Sequence, residues 1–331
     1  MPSRDHRPEQ LHPFGLGAAA IAVAAWGTSG VVVKAVDLDP VAISFYRFAL
    51  YTLAITIVYS IRHGVPTLRI LKHSMAGGIF LGLDVVLFFT AVKTTSVVNA
   101  TTIGAMQPVI IAGIAYRFFG EKIRLREIAA AVAAIAGVVI VVTRSTGTPQ
   151  WSGSGDLAAL AALFAWTGYL VMSKRSAGTL TSTEYTLGTG FWTAAVSLPV
   201  GLAFGQDMSL PGPGHWVILG VLVVMGGVLG HSTMNWALTR IPLWLGSVAT
   251  LLIPVISSIT AWIFLDEALD RVQVIAIAAV VAALAAVVSA QRVPTPTPPP
   301  TAPITSVPEG IARHDSAQGD AREDDQAHPH H

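Results

Sequence analysis

Ten stretches of about twenty mostly apolar residues follow one another along the chain, and no other feature limits the possible folds as much. They run Phe14–Val33, Val41–Ser60, Met75–Val92, Val97–Phe119, Leu125–Thr143, Asp156–Ser173, Thr183–Gly205, His215–Leu238, Trp244–Leu265 and Val272–Ala290. Crossing a bilayer core takes roughly 20 helical residues, so each can span it. The links between them are short and hold Pro, Gly, Asp, Arg or Lys, with no soluble domain among them. Charged residues make up only 12% of the chain and hydrophobic ones 53%. A surface in water needs about a quarter of its residues charged, whereas lipid as solvent tolerates this shortage. The expected fold is an all-α integral membrane protein of ten transmembrane helices. The first stretch is too long for a signal peptide and nine more follow, so it reads as a span.

Lys and Arg near the helix ends set the orientation, because cytoplasmic flanks carry an excess of them. With the amino terminus inside, the inner flanks hold Arg4, Arg7, Arg62, Arg69, Lys72, Arg117, Lys122, Arg124, Arg126, Lys174, Arg175, Arg240 and Arg292. The outer flanks hold only Lys34, Lys93, Arg144 and Arg271. The expectation is a multi-pass protein of the plasma (inner) membrane with both termini cytoplasmic.

The chain also repeats itself. Ala25-Trp26 recurs as Ala165-Trp166 and Lys34 as Lys174, and further along Ala91, Pro108 and Glu121 recur as Ala237, Pro254 and Glu267. Each copy holds five spans, over 14–143 and 155–290. An odd number makes the second copy start from the opposite side, so the repeats are inverted, an architecture in which two halves can rock about a site between them. Residues 1–13 read as a cytoplasmic lead. Val293–His331 reads as a disordered Pro/Thr-rich, then acidic, cytoplasmic tail, whose histidines His314, His328, His330 and His331 are taken as solvated.

Ala25-Trp26-Gly27, Arg47-Phe48, and Pro108 followed by Phe119-Gly120-Glu121-Lys122 resemble the EamA family of the drug/metabolite transporter superfamily. So does the second copy, with Pro254 followed by Leu265-Asp266-Glu267. The resemblance implies a ten-helix exporter or importer of small metabolites, with a central cavity lined by the first, third, fourth, sixth, eighth and ninth spans. Leu187 stands where Arg47 would recur, so that arginine has no counterpart.

An ionisable side chain in a span costs about 3 kcal/mol, so it usually faces a cavity or a partner. Arg47 lies about 10 Å below one surface and Asp84 about 13 Å below the same one, at 1.5 Å per residue. An ion pair between them is therefore possible. His231 lies about 13 Å from the opposite surface, one residue away from the inverted counterpart of Asp84. The expectation is that Asp84 and His231 face the cavity from opposite halves and that one carries a coupled proton. The bland alternative is a structural salt bridge and an interhelical hydrogen bond. Trp26, Asn99, Gln107, Trp166, Tyr169, Asn235 and Trp236 complete the candidate pathway, with Asn99 and Gln107 equally readable as interhelical glue. Pro108 and Pro254 are expected to kink the fourth and ninth spans. Glu121 and Glu267 read as interfacial salt bridges, and the alanine-rich fifth and tenth spans as packing elements.

The chain has no cysteine, no Walker-type phosphate loop, no His-Glu-x-x-His, and no metal-ligand spacing within the spans. No cofactor or metal is expected, and a net charge of +1 argues against nucleic acid. The expected partners are the lipid bilayer, a small-molecule substrate and protons; the oligomeric state stays open. The leading expectation is a secondary transporter, an exporter of small metabolites such as amino acids, and not an enzyme. The alternatives are a membrane-embedded enzyme acting on small or lipid-linked substrates and a non-transporting scaffold or sensor, for which the short loops leave little surface.

Overall fold

The computed structural model describes residues 12–34, 36–146 and 152–291, which are almost wholly helical. Residues 1–11 of the expected amino-terminal lead, the carboxy-terminal tail, Arg4, Arg7, Arg292 and the tail histidines lie outside the described residues.

Besides the last, six spans are single helices: α1 (Pro13–Lys34), α2 (Pro40–His63), α3 (Leu68–Thr94), α6 (Leu125–Thr146), α7 (Gly153–Ser176) and α8 (Ser182–Ala203). The fourth span is split into α4 (Val97–Ala105) and α5 (Gln107–Phe119). The eighth runs as α9 (Pro213–Leu222), a π-helical segment (Val223–Ser232) and α10 (Thr233–Leu238). The ninth is split into α11 (Leu243–Ala249) and α12 (Leu252–Leu265), and α13 (Arg271–Ala290) closes the bundle. By length and hydropathy nine spans qualify among the described residues, all but α8. Threonine, serine and glycine dilute that helix, and its interior face is buried against other helices, not lipid. The protein is thus an all-α, multi-pass membrane protein.

The breaks follow from proline. Pro108 and Pro254 lie at the first residues of α5 and α12, where a missing N–H costs least. The helix is interrupted just ahead of each, at Met106 and at Thr250–Leu251. Both split spans end alike. Gly120 and Asp266 adopt left-handed backbone (φ 68° and 54°), and the next amide, of Glu121 or Glu267, reaches back to Ala115 O or Ala261 O. Glycine enters that region freely, and aspartate is one of the few other residues that tolerates it.

The two five-helix repeats are inverted, as the hydrogen bonds between equivalent helices show. α2 begins against the end of α8, where Val41 N donates to Gln206 Oε1 (2.8 Å), and ends against its start, where Tyr59 OH donates to Glu184 (3.3 Å). α6 and α13 are likewise antiparallel. Arg124 and Arg126 at the start of α6 donate to Ala290 O at the end of α13. Arg144 at the far end of α6 pairs with Asp270, the N-cap of α13 (2.6 Å).

Small residues set the spacing. A Cβ on Gly78 of α3 would lie 2.5 Å from Trp192 Cβ and 2.9 Å from Thr189 O of α8. One on Gly137 of α6 would lie 2.5 Å from Val280 of α13. Without a hydrophobic force between helices in lipid, such close approach supplies the packing energy.

Glu121 has a capping role that the salt-bridge reading did not include. Its carboxylate accepts from the backbone amides of Leu243 (2.6 Å) and Trp244 (2.9 Å), capping the amino end of α11 from across the repeat boundary. A helix start exposes unpaired N–H groups and a partial positive charge, and a carboxylate answers both.

Candidate functional site

A cavity of about 310 Å³ lies between the two repeats. The first repeat lines it with Trp26 (α1), Arg47 (α2), Leu81, Asp84 and Phe88 (α3), and Ala100, Thr101, Gly104 and Gln107 (α4–α5). The second supplies Ala159, Leu163 and Trp166 (α7), His231 (π segment), and Thr250, Ile253 and Pro254 (α11–α12). The lining therefore comes from the first, third, fourth, sixth, eighth and ninth spans, with Arg47 added from the second. Among the described residues α6, α8 and α13 contribute none of it.

Glycines of the π segment let bulky side chains reach this place. Gly230 leaves no room for a Cβ against Trp26, and a Cβ on Gly227 would lie 2.6 Å from the Tyr51 ring. One on Gly226 would lie 3.1 Å from Arg47 Nη1. The wide π turn fits the hydrogen bond from Thr233 Oγ1 to Val228 O, five residues back (3.0 Å). Trp26 Nε1 donates to Gly226 O (3.3 Å) and stands edge-on to its repeat partner Trp166, ring centroids 5.4 Å apart. His231 is enclosed by the rings of Trp26 (5.2 Å), Phe48 (5.3 Å) and Tyr169 (5.7 Å).

Arg47 and Asp84 face the same cavity but do not form the ion pair that their matched depths suggested. Neither makes a hydrogen bond or an ion pair among the described residues; the Arg47 guanidinium rests 4.6 Å above the Phe48 ring. Gln107 is buried; one end of its amide meets Thr250 Oγ1 (3.1 Å), whose proton goes to Ser247 O (2.6 Å), and the other end has no partner among the described residues. The remaining wall is mostly aliphatic and aromatic. Two opposite charges and an unsatisfied amide in such a wall are costly unless something polar meets them.

The other expected residues sit elsewhere. Asn99 donates to Asp156 Oδ1 (3.1 Å), the same oxygen that Thr95 Oγ1 reaches at 2.7 Å, tying α4 to α7. Tyr169 and Asn235 stand behind His231. Trp236 carries the Arg240 guanidinium 3.7 Å over its ring and borders a separate groove with Phe14, Ile21 and Thr233. Pro108 is buried beside Gln107, whereas Pro254 reaches the cavity. The sequence reading did not single out Thr250 or Thr101, and it named Phe48 only within the Arg47-Phe48 motif, not as part of the site. Thr250 had a signal, since it falls in the repeat register of Gly104, one helical turn before the conserved-spacing proline of its copy.

Comparisons with known proteins agree with this architecture. A Bacillus subtilis (strain 168) protein described as the uncharacterized transporter YyaM is 27% identical over 239 residues, covering 68% of this chain and 76% of its own. A crystal structure of a protein superposes with a TM-score of 0.72 at 22% identity, covering 84% of this chain and 97% of its own, a likeness of fold. The EamA-like transporter family matches residues 13–143 and again 153–289, one match for each five-helix repeat. With both repeats matched, the chain belongs to the EamA-like transporter family and is a membrane transporter.

Proposed function

We propose that the protein is a secondary transporter that exports small zwitterionic metabolites, amino acids foremost, across the plasma membrane by alternating access with proton coupling. The observation that carries this reading is that Arg47 and Asp84 face one small cavity without pairing with each other. A solute bearing both a carboxylate and an ammonium meets both charges at once. Arg47 takes the carboxylate through charge-assisted hydrogen bonds, and Asp84 takes the ammonium. Trp26, Trp166 and Phe88 receive the apolar part. A cavity of about 310 Å³ lies at the small end of ligand sites, which suits a metabolite and not a lipid.

Alternating access is supported by the inverted repeats, whose relative rocking would open the cavity to either side in turn. In this reading both termini are cytoplasmic, which the excess of Lys and Arg on those flanks supports. Asp84 and His231, one from each half, are the groups able to take up a proton in the cavity. The test is reconstitution into liposomes with a panel of labelled amino acids, with and without a pH gradient. Gradient-dependent flux that falls in Arg47→Gln and loses its pH response in Asp84→Asn or His231→Gln is expected. Unchanged pH dependence in both correctly inserted variants would remove proton coupling, and equal flux of amines lacking a carboxylate would remove the zwitterion.

A further inference from the structure

We propose that a one-way chain of hydrogen bonds behind the cavity fixes His231 with its proton on Nδ1, so that Nε2 faces the cavity as an acceptor, and that Tyr169 is the positioning residue.

The direction of the chain follows from counting protons. Thr186 Oγ1 donates its single proton to Ser182 O at 2.6 Å, and a backbone carbonyl can only accept. Thr186 Oγ1 must then accept from Asn235, which turns the amide nitrogen of Asn235 towards it (3.0 Å). Asn235 Oδ1 consequently faces the other way and accepts from Ser173 Oγ (2.7 Å) and from Tyr169 OH (3.0 Å). The Tyr169 proton is thereby committed. Its oxygen lies 3.1 Å from His231 Nδ1 and can only accept there, so Nδ1 carries the hydrogen. All four residues in the chain and His231 are buried, so bulk water does not compete for these bonds.

Neutral imidazole has one donor and one acceptor nitrogen. With Nδ1 committed, Nε2 keeps its lone pair; it makes no hydrogen bond among the described residues, and His231 lines the cavity. Protonation at Nε2 leaves every bond of the chain in place, because Nδ1–H still donates to Tyr169. The opposite tautomer would break the chain at Tyr169. His231 can therefore exchange a proton with the cavity through Nε2 alone, with no rearrangement behind it. The charged groups that face the same cavity are Arg47 from α2 and Asp84 from α3. Tyr51 from α2 is bonded to Ser232, and α1 presents only Trp26. Whatever meets Nε2 must be a donor, an ammonium group or a proton; its use in coupling rests on the transport reading above.

The full-length protein, labelled with ¹⁵N-histidine in lipid nanodiscs, decides the tautomer directly. Subtraction of the His231→Gln spectrum isolates the His231 signals. A protonated Nδ1 and an unprotonated Nε2 are expected in the neutral ring; a neutral ring protonated at Nε2 overturns the proposal whatever the variants do. Tyr169→Phe should change the tautomer ratio by roughly 2- to 10-fold, the worth of one ordinary hydrogen bond. Ser173→Ala, which leaves the Thr186–Asn235–Tyr169 path whole, should keep the single tautomer. An unchanged tautomer in Tyr169→Phe would refute its positioning role. In the flux assay Tyr169→Phe should displace the pH profile. The expected tautomer with no amino-acid flux would leave the chain standing and fail the transport reading.

Discussion

Glu121 offers a measurable link between the two repeats. Its carboxylate serves two backbone amides at the start of α11, and Leu243 and Trp244 are only 0% and 2% exposed. Glu121→Ala leaves both donors without that acceptor. An unmet buried donor costs about 1–3 kcal/mol. Glu121 itself is half-buried and water can partly replace it, so the sum falls near the lower end, about 2–4 kcal/mol. For a folded unit of this size that corresponds to a fall in the melting midpoint of roughly 3–7 °C. Glu121→Gln keeps one acceptor oxygen but sets an NH₂ against the second amide, so it should lose about half as much. The assay is thermal unfolding of detergent-solubilised protein, followed by size-exclusion retention and repeated in lipid. An alanine variant melting within a degree of the parent, or a glutamine variant worse than alanine, would refute the capping argument.

Two further expectations follow from packing and charge. Gly78→Ala sets a methyl group against backbone and Cβ atoms of α8, and overpacking of this kind costs about 1–3 kcal/mol, readable as a lower melting midpoint with insertion intact. Asp270 is held below its ordinary value of 3.8, first by the Gln273 backbone amide and then by Arg144. Its ionised form therefore adds stability above that value, and the addition fades as pH falls through the lowered one. Asp270→Asn, which still caps α13, should melt below the parent at neutral pH and match it in strong acid.

The spans were legible because lipid imposes length and apolarity on each of them separately. Nine of the ten also qualify on hydropathy among the described residues. α8 was read as a span with the others on length and apolar content, although it is diluted by Thr186, Thr189, Thr193 and Ser197, which are hidden against other helices. The repeat also located the two prolines, and local steric rules explain why the helix breaks before them. What could not be read were choices that depend on helices distant in sequence. Asn235 and His231 share a helix face, but the partners that fix them, Tyr169 and Thr186, arrive from α7 and α8. Matched depth brought Arg47 and Asp84 to one cavity, yet depth along a helix says nothing of rotation about it, and the pair does not close. The π segment was hidden too, although Gly226, Gly227 and Gly230 mark where foreign side chains press in.

Helices related by a two-fold rotation can touch one another only across the axis itself. α2 meets α8, α6 meets α13, and Trp26 meets Trp166, so the axis threads all three contacts and runs past the indole pair at the cavity wall. A perfectly duplicated lining there would offer any guest the same two faces and could not tell its head from its tail. Arg47 answered by Leu187, Gln107 by Ile253, and Asp84 by a neighbour of His231 abolish that degeneracy. On the alternating-access reading proposed above, the backbone keeps the two-fold exchange that such motion would use, while the unequal side chains would hold the guest in a single orientation.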